Sequence, residues 1–244
     1  MQIKSIGIIG FGNFGQFIFS LAKEHVPNVS IKVFSSHKEI DNKDFFTFEE
    51  VCGTDFLVLC VPISAFEETL NKTLPFLGKD TVVCDIATVK KYTLSVLRDK
   101  KVQNYISTHP MFGPYSYIKQ EESLKNLSIV VCESSLPESD MDEVLSFLGK
   151  IGLKVLTLTA DEHDRLIAET LFLTHLIGQT VKKGGFERTS VDTISFGFLM
   201  DAVESVAHDE TLFRDVYTFN PYCKDVLLRF EAAQTNIKSS LELK

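Results

Sequence analysis

Residues 6–18 read IGIIGFGNFGQFI. A short apolar run comes first, then Gly10, Gly12 and Gly15 in the spacing G-x-G-x-x-G. The amphipathic stretch FGQFIFSLAKEH (14–25) follows without a break. That is a strand, a tight turn and a helix in succession. Glycines at these three places allow the turn, the close approach of backbone to a diphosphate, and close packing of helix on strand. The helix start adds free amides and the positive end of a dipole. A dinucleotide is therefore expected here, held by Gly10, Phe11, Gly12, Asn13, Phe14 and Gly15.

Outward from this loop the chain keeps alternating. Apolar runs that predict strands lie at 4–9, 31–34, 56–61, 82–86, 105–108, 129–132 and 155–158. Their near-continuous hydrophobicity is that of parallel strands covered on both faces. Amphipathic stretches such as ISAFEETLNKTLPFL (63–77) separate them, so a doubly wound parallel sheet is expected. Val61 and Pro62, at the end of the third strand and just past it, are expected to touch the cofactor on the sheet edge where such folds bind ligands.

After Thr159 the strands stop. TADEHDRLIAETLFLTHLIGQTVKKGG (159–185) opens with a threonine cap and acids in its first turn, and closes on lysines and a glycine pair. Both ends of a long helix are written there. Further helices are predicted around 193–207, 210–217 and 221–242. The fold class is thus α/β, with a Rossmann-type dinucleotide-binding domain (1–159) followed by a smaller all-α domain (160–244). About 85 helical residues make a small core, and the long helix is apolar around much of its circumference. A homodimer through the C-terminal helices is expected.

Composition removes several function classes. The 244 residues carry a net charge of −8 and no basic patch interleaved with aromatics, which speaks against a nucleic-acid partner. No apolar run reaches 18 residues, so no membrane span is expected. Five cysteines, at 52, 60, 84, 132 and 223, show no metal-ligand spacing and mostly sit in apolar runs. They read as small buried hydrophobes of a reducing compartment, and no metal is expected. The start MQIKSIGIIG is already strand-like rather than a signal peptide, so a cytoplasmic location is expected.

The second strand addresses the cofactor's identity. NAD-binding folds usually end it in an acid that holds the ribose 2′-hydroxyl. Here IKVF is followed by SSHKE, with Ser35 and Ser36 in place of the acid and His37 and Lys38 behind them. Hydroxyls and a cation suit a 2′-phosphate. NADP is expected ahead of NAD, with Ser35, Ser36 and Lys38 as contacts; Glu39 and Asp41 stand close by as counter-signals.

A second unusual stretch is STHPMFGP (107–114), where proline stops helix and strand alike and a histidine sits at the start of a stiff turn. Together with DIATVK (85–90), EHDRLIAETLFLTH (162–175) and LFRDVYTFN (212–220), it resembles the prephenate/arogenate dehydrogenases of tyrosine biosynthesis, most of all the plant arogenate type. The resemblance runs from Gly10 to about Ala233. It implies oxidative decarboxylation of a cyclohexadienol. A hydride leaves C4 for the nicotinamide, the C1 carboxylate departs as CO₂, and the ring becomes aromatic.

By the same resemblance His109 accepts the proton of the C4 hydroxyl, a task that suits imidazole. Thr88 stands for the family's usual serine and holds that hydroxyl or the imidazole. His175 on the long helix points at the cleft between domains, and Met111 and Gly113 line the substrate site. Asp85 and Lys90 also read more simply, as a loop hydrogen-bond acceptor and a surface charge at a helix start. His163 and Asp164 read as structural groups at a helix start.

The pattern departs from the family in one place. Many bacterial members carry a Thr-Arg pair in the helical domain that grips the substrate side-chain carboxylate. LMDAVESVAHDETLF (199–213) has no such arginine. Lys182, Lys183, Arg188 and Arg214 remain candidates, and arogenate and prephenate both remain open as the small-molecule substrate. The rivals are another two-domain reductase or dehydrogenase, of the β-hydroxyacid, pyrroline-carboxylate or imine-reductase type, and an inactive nucleotide-binding sensor.

Overall fold

A computed structural model describes residues 3–242. The chain divides into two compact units, the first ending at Ala160 and the second beginning at Asp161.

The first unit is built on seven strands: β1 (Ser5–Ile9), β2 (Ser30–Phe34), β3 (Phe56–Leu59), β4 (Val82–Asp85), β5 (Tyr105–Pro110), β6 (Ser128–Ser134) and β7 (Lys154–Thr157). Their order in the sheet is β2-β1-β3-β4-β5-β6-β7. Between them run α1 (Asn13–His25), α2 (Phe48–Cys52), α3 (Phe66–Thr73), α4 (Lys90–Asp99), α5 (Pro114–Lys119) and α6 (Glu138–Lys150). From β1 the chain steps to β2 on one side, and from β2 it returns to β3 on the other. The switch point therefore lies between β1 and β3, where open α/β sheets leave a crevice for a ligand at the strands' carboxyl ends. Ile8, Val33, Leu57, Val58, Leu59 and Val83 are all buried, as strands covered on both faces require.

The sheet is not wholly parallel. β1 to β5 are parallel neighbours, but β6 runs antiparallel to β5, and β7 follows β6. The expected doubly wound parallel sheet is present, and the antiparallel β6 is a departure within it that lies at the β5–β6 connection. α5 has six residues, about 9 Å of helix, against about 20 Å for a six-residue strand. The connection 111–127 holds no helix long enough to pack back along β5, and β6 enters from the edge where β5 ends. Strands buried on both faces look alike in either direction, which is why the residue pattern is silent on this point.

One correction concerns STHPMFGP. The strand does not stop before the proline; β5 continues through His109 and Pro110. Its pairing with β4 ends at Ser107, and a bulge between Ser107 and Thr108 shifts its register on β6, with Cys132 as the extra residue. Beyond the bulge only β6 lies alongside. A terminal proline is tolerated there because no donor is demanded of it.

The second unit is helical. α7 (Ala160–Ile167) passes through a π-turn (Ala168–Phe172) into α8 (Leu173–Lys183), and α9 (Ile194–Val206), α10 (Glu210–Phe219) and α11 (Cys223–Glu242) follow. Gly178 of α8 lies so close to Val206 of α9 that any Cβ would collide with it. Several large apolar side chains stay uncovered, among them Ile194 and Phe198 of α9, the latter 71% exposed, and Leu228, Ile237 and Leu241 of α11. Among the described residues, no helix is long and apolar enough to cross a membrane.

Candidate active site

The three glycines of the first loop have different surroundings. Gly10 adopts φ +100°, and a Cβ on it would run into the carbonyl oxygen of Cys60. Its amide donates to Phe34 O (3.0 Å), which ties β1's end to β2's, while Cys60 N donates to Ile9 O (2.8 Å). Gly15 is buried, and its Cβ would strike Gly10 O. Gly12 has nothing within 4 Å of a Cβ position. It stands at the start of α1 with no side-chain cap, and the first turn holds no acid. A diphosphate fits these residues: space at Gly12, unclaimed amides behind it, and no competing carboxylate.

Phe11 packs edge-on against Phe19 (5.7 Å) and Phe45 (5.0 Å), and Phe14 lies 6.0 Å from Phe17. Their rings belong to the unit's packing, which leaves backbone and Asn13, which is exposed, to face a ligand. Val61 borders Gly10 at the switch point, and Pro62 is exposed beside it.

Past β2, Lys38 N donates to Ser35 O (3.2 Å) and His37 N to Ser35 Oγ (3.3 Å), so 35–38 form a tight turn with Ser36 and Lys38 exposed. Asp41, the nearby acid that complicates the sequence reading, is occupied. Its Oδ1 accepts from the amides of Phe45 (2.8 Å), Lys43 (2.9 Å) and Asp44 (2.9 Å). Those hydrogen bonds, that from Phe45 foremost, hold its pKa below the usual carboxylate value.

His109 lies one residue from the carboxyl end of β5, 5% exposed, on the same sheet edge as the glycine loop. Thr88 is half-buried three residues past the end of β4, the neighbouring strand. Phe112 is buried against Phe17, Met111 is partly exposed, and Gly113 borders open space ahead of α5.

The reading of Lys90 as a surface charge is overturned. Lys90 and Asp85 are both 0% exposed and form an ion pair of 2.7 Å. The missed signal was Asp85 itself, an acid at the end of the buried run VVCD, which demands a partner.

In the helical unit His175 is 4% exposed and stacks on Phe213 (6.3 Å, 5° between planes). Its Nδ1 is buried and has no hydrogen-bond partner in the described structure, a costly arrangement unless a ligand supplies one. The π-turn accounts for its placement. In a regular helix, residues 163 and 175 stand about 120° apart, whereas the wider turn brings their directions closer, and both are buried. His163 Nδ1 meets Asp164 Oδ1 (2.8 Å), and Asn220 Nδ2 donates to Asp164 O (2.7 Å), so this pair joins α7 to the α10–α11 corner.

Of the candidate cations, Lys182 donates to Ala207 O (2.6 Å) and Arg188 pairs with Asp201 and Glu204 (2.6 Å each). Lys183 and Arg214 are exposed.

Burial lowers the pKa of His175 from its usual 6.5, with Asp209 pulling weakly the other way. In the pH window between the lowered value and 6.5, the unfolded chain holds more protons than the folded one. The ligand-free protein is therefore expected to lose stability as pH falls through 6.5 toward the lowered value. Denaturant midpoints measured across that range check this, and His175→Phe should flatten part of the slope. An unchanged slope in the variant would remove His175 as its source.

A G-x-G-x-x-G loop at the switch point of a Rossmann-type sheet, with its amides open, defines a nucleotide-binding protein of the dehydrogenase class. Residues 35–157 match the model of the prephenate dehydrogenase nucleotide-binding domain, half of the chain, and the protein belongs to that family. It is 29% identical to arogenate dehydrogenase 1, chloroplastic, of Arabidopsis thaliana, with 97% of this chain aligned to 39% of that protein. Arogenate dehydrogenase 2, chloroplastic, of the same plant is 27% identical, with 97% of this chain aligned to 69% of its length. Among solved structures, prephenate dehydrogenase from A. aeolicus in complex with hydroxyphenyl propionate and NAD+ shares the fold, at a TM-score of 0.76 and 18% identity. That match covers 99% of this chain and 91% of the other.

Proposed function

We propose that this protein is an NADP-dependent arogenate or prephenate dehydrogenase of tyrosine biosynthesis. One observation carries the reading: a buried histidine within H-P-M-F-G-P ends a strand on the same sheet edge as an open dinucleotide loop. Family membership and the names of the plant relatives support it.

When bound, the nicotinamide supplies the hydride acceptor, and aromatisation of the ring supplies the driving force. The chain's task is positioning and one proton. His109 accepts the proton of the C4 hydroxyl, and Thr88 holds that hydroxyl or the imidazole by hydrogen bonding. Phe112 helps keep the site dry, while Met111 and Gly113 border the substrate. Gly10 to Gly15, Val61 and Pro62 hold the dinucleotide. His175, with its unmatched Nδ1, is a further candidate for binding the substrate.

The NADP preference rests on Ser35, Ser36 and Lys38 and on the engagement of Asp41, one of the two nearby acids, within its own loop. Ser36→Asp is expected to weaken NADP by about tenfold or more and NAD far less, because a carboxylate would face the 2′-phosphate. Titration of both dinucleotides checks this, and a preference that survives the change would sink the assignment.

The protein is further proposed to form a homodimer through the exposed apolar side chains of α9 and α11. Sedimentation of wild type and Phe198→Glu tests it, and a monomeric wild type would refute it.

The function itself is tested by following reduced-cofactor formation with arogenate and prephenate, each crossed with NAD and NADP. Turnover in any combination supports the reading and names the substrate. A blank result from protein that binds NADP would favour a nucleotide-binding sensor.

A further inference from the structure

We propose that the buried Asp85–Lys90 pair is a positioning device for the reaction, locking Thr88 and His109 into register at the carboxyl ends of β4 and β5. The inference rests on the reading of His109 and Thr88 given above.

Two charges at 0% exposure in a sheet of valines, isoleucines and leucines are not explained by stability. Desolvation of a buried pair can outweigh its attraction, and well-packed apolar residues commonly replace such pairs without loss. The geometry shows what the pair holds instead. Asp85 Oδ2 accepts from Lys90 Nζ (2.7 Å), Thr93 Oγ1 (2.6 Å) and Ser107 Oγ (2.8 Å), and Oδ1 accepts from Ala87 N (2.9 Å). Lys90 Nζ also donates to Thr108 O (2.7 Å), and Thr108 Oγ1 donates to Asp85 O (3.2 Å).

These bonds fall on either side of the two reactive positions. Ala87 and Lys90 bracket Thr88, so the turn that carries its hydroxyl is pinned at both ends. Thr108 O belongs to the peptide unit that leads into His109. β5 loses its β4 partner after Ser107 and is shifted on β6 by the bulge. Lys90 thus supplies a donor just where regular pairing with β4 has ended. One carboxylate and one ammonium tie the β4 turn, the first turn of α4 and the last residues of β5 into one unit. A misplacement of about 1 Å in such a site can cost about 100-fold in rate.

The test uses the full chain. The double variant Asp85→Asn/Lys90→Met removes both charges at near-constant volume and keeps an acceptor for Ser107 and Thr93. It is expected to fold, to bind NADP with a Kd within about twofold of wild type, and to lose about 10- to 100-fold in kcat. A folded double variant with wild-type kcat overturns the proposal.

A second readout needs no turnover. The side-chain ¹³C and ¹⁵N resonances of His109 are expected as one set in wild type, and shifted and broadened in the variant. Unchanged resonances also overturn the proposal. If the double variant does not fold, Ser107→Ala carries the test. A smaller shift of the same resonances and a several-fold fall in kcat are expected, and wild-type behaviour in both refutes the role. A wild type without turnover on either substrate would refute the dehydrogenase reading alone, because the resonance comparison still decides the positioning role.

Discussion

Replacing His109 with alanine is expected to lower kcat by about 10²- to 10⁴-fold while leaving the Kd of the dinucleotide within about twofold. The magnitude is that of a positioned general base removed from a step in which a hydroxyl must lose its proton. The selectivity follows from place. His109 lies one residue from the end of β5, whereas the dinucleotide loop lies between β1 and β3, with β4 intervening in the sheet. The truncation leaves a small void at the end of the strand, and Phe112 and the β6 ladder remain to hold the backbone. Steady-state kinetics and a dinucleotide titration on the same preparation check both halves. If affinity and turnover fall together, His109 is a structural residue and the proton acceptor lies elsewhere. Cofactor binding with unchanged turnover would dismiss His109 from the chemistry altogether.

The second large effect separates two glycines of one motif. Gly15→Ala places a methyl against Gly10 O, and α1 has to move off β1 to accept it. Overpacking of this kind costs about 1–3 kcal/mol, a fall of about 5 °C in Tm for a chain of this size. Gly12→Ala meets no protein atom, so its Tm should stay within about 1 °C of wild type. The dinucleotide should lose on the order of 100-fold in affinity, or ~2.7 kcal/mol, because the methyl occupies the space a diphosphate needs. Thermal melts paired with titrations of NAD and NADP distinguish the two variants. Wild-type affinity in Gly12→Ala would show that the diphosphate lies elsewhere.

Much of this protein is legible in its sequence. All seven strands could be placed, the inner ones because a strand covered on both faces is a near-continuous apolar run. The glycine loop could be read from its spacing after a strand and before a helix, although Cys60, which crowds Gly10, is distant in sequence. The long helix carried its own start and stop signals, though nothing in them reveals that one inner turn is a π-turn, since turn width is set by packing. Ser35 and Ser36 were visible as a missing acid, but only the fold shows Asp41 already engaged by three amides.

What the residues could not decide has a common cause. The direction of β6 depends on its pairing with β5, and the passage of β5 through Pro110 depends on a neighbour contributed by β6. Lys90 reads as surface because lysine is rarely buried without a partner. Its partner, five residues away, becomes visible only when the end of β4, the start of α4 and the end of β5 converge. Local chemistry, the turn, the cap and the apolar run, is written in sequence because its partners are near neighbours. The direction of a strand, the burial of a charge and the fixing of His109 are long-range pairings, and only the tertiary structure decides them.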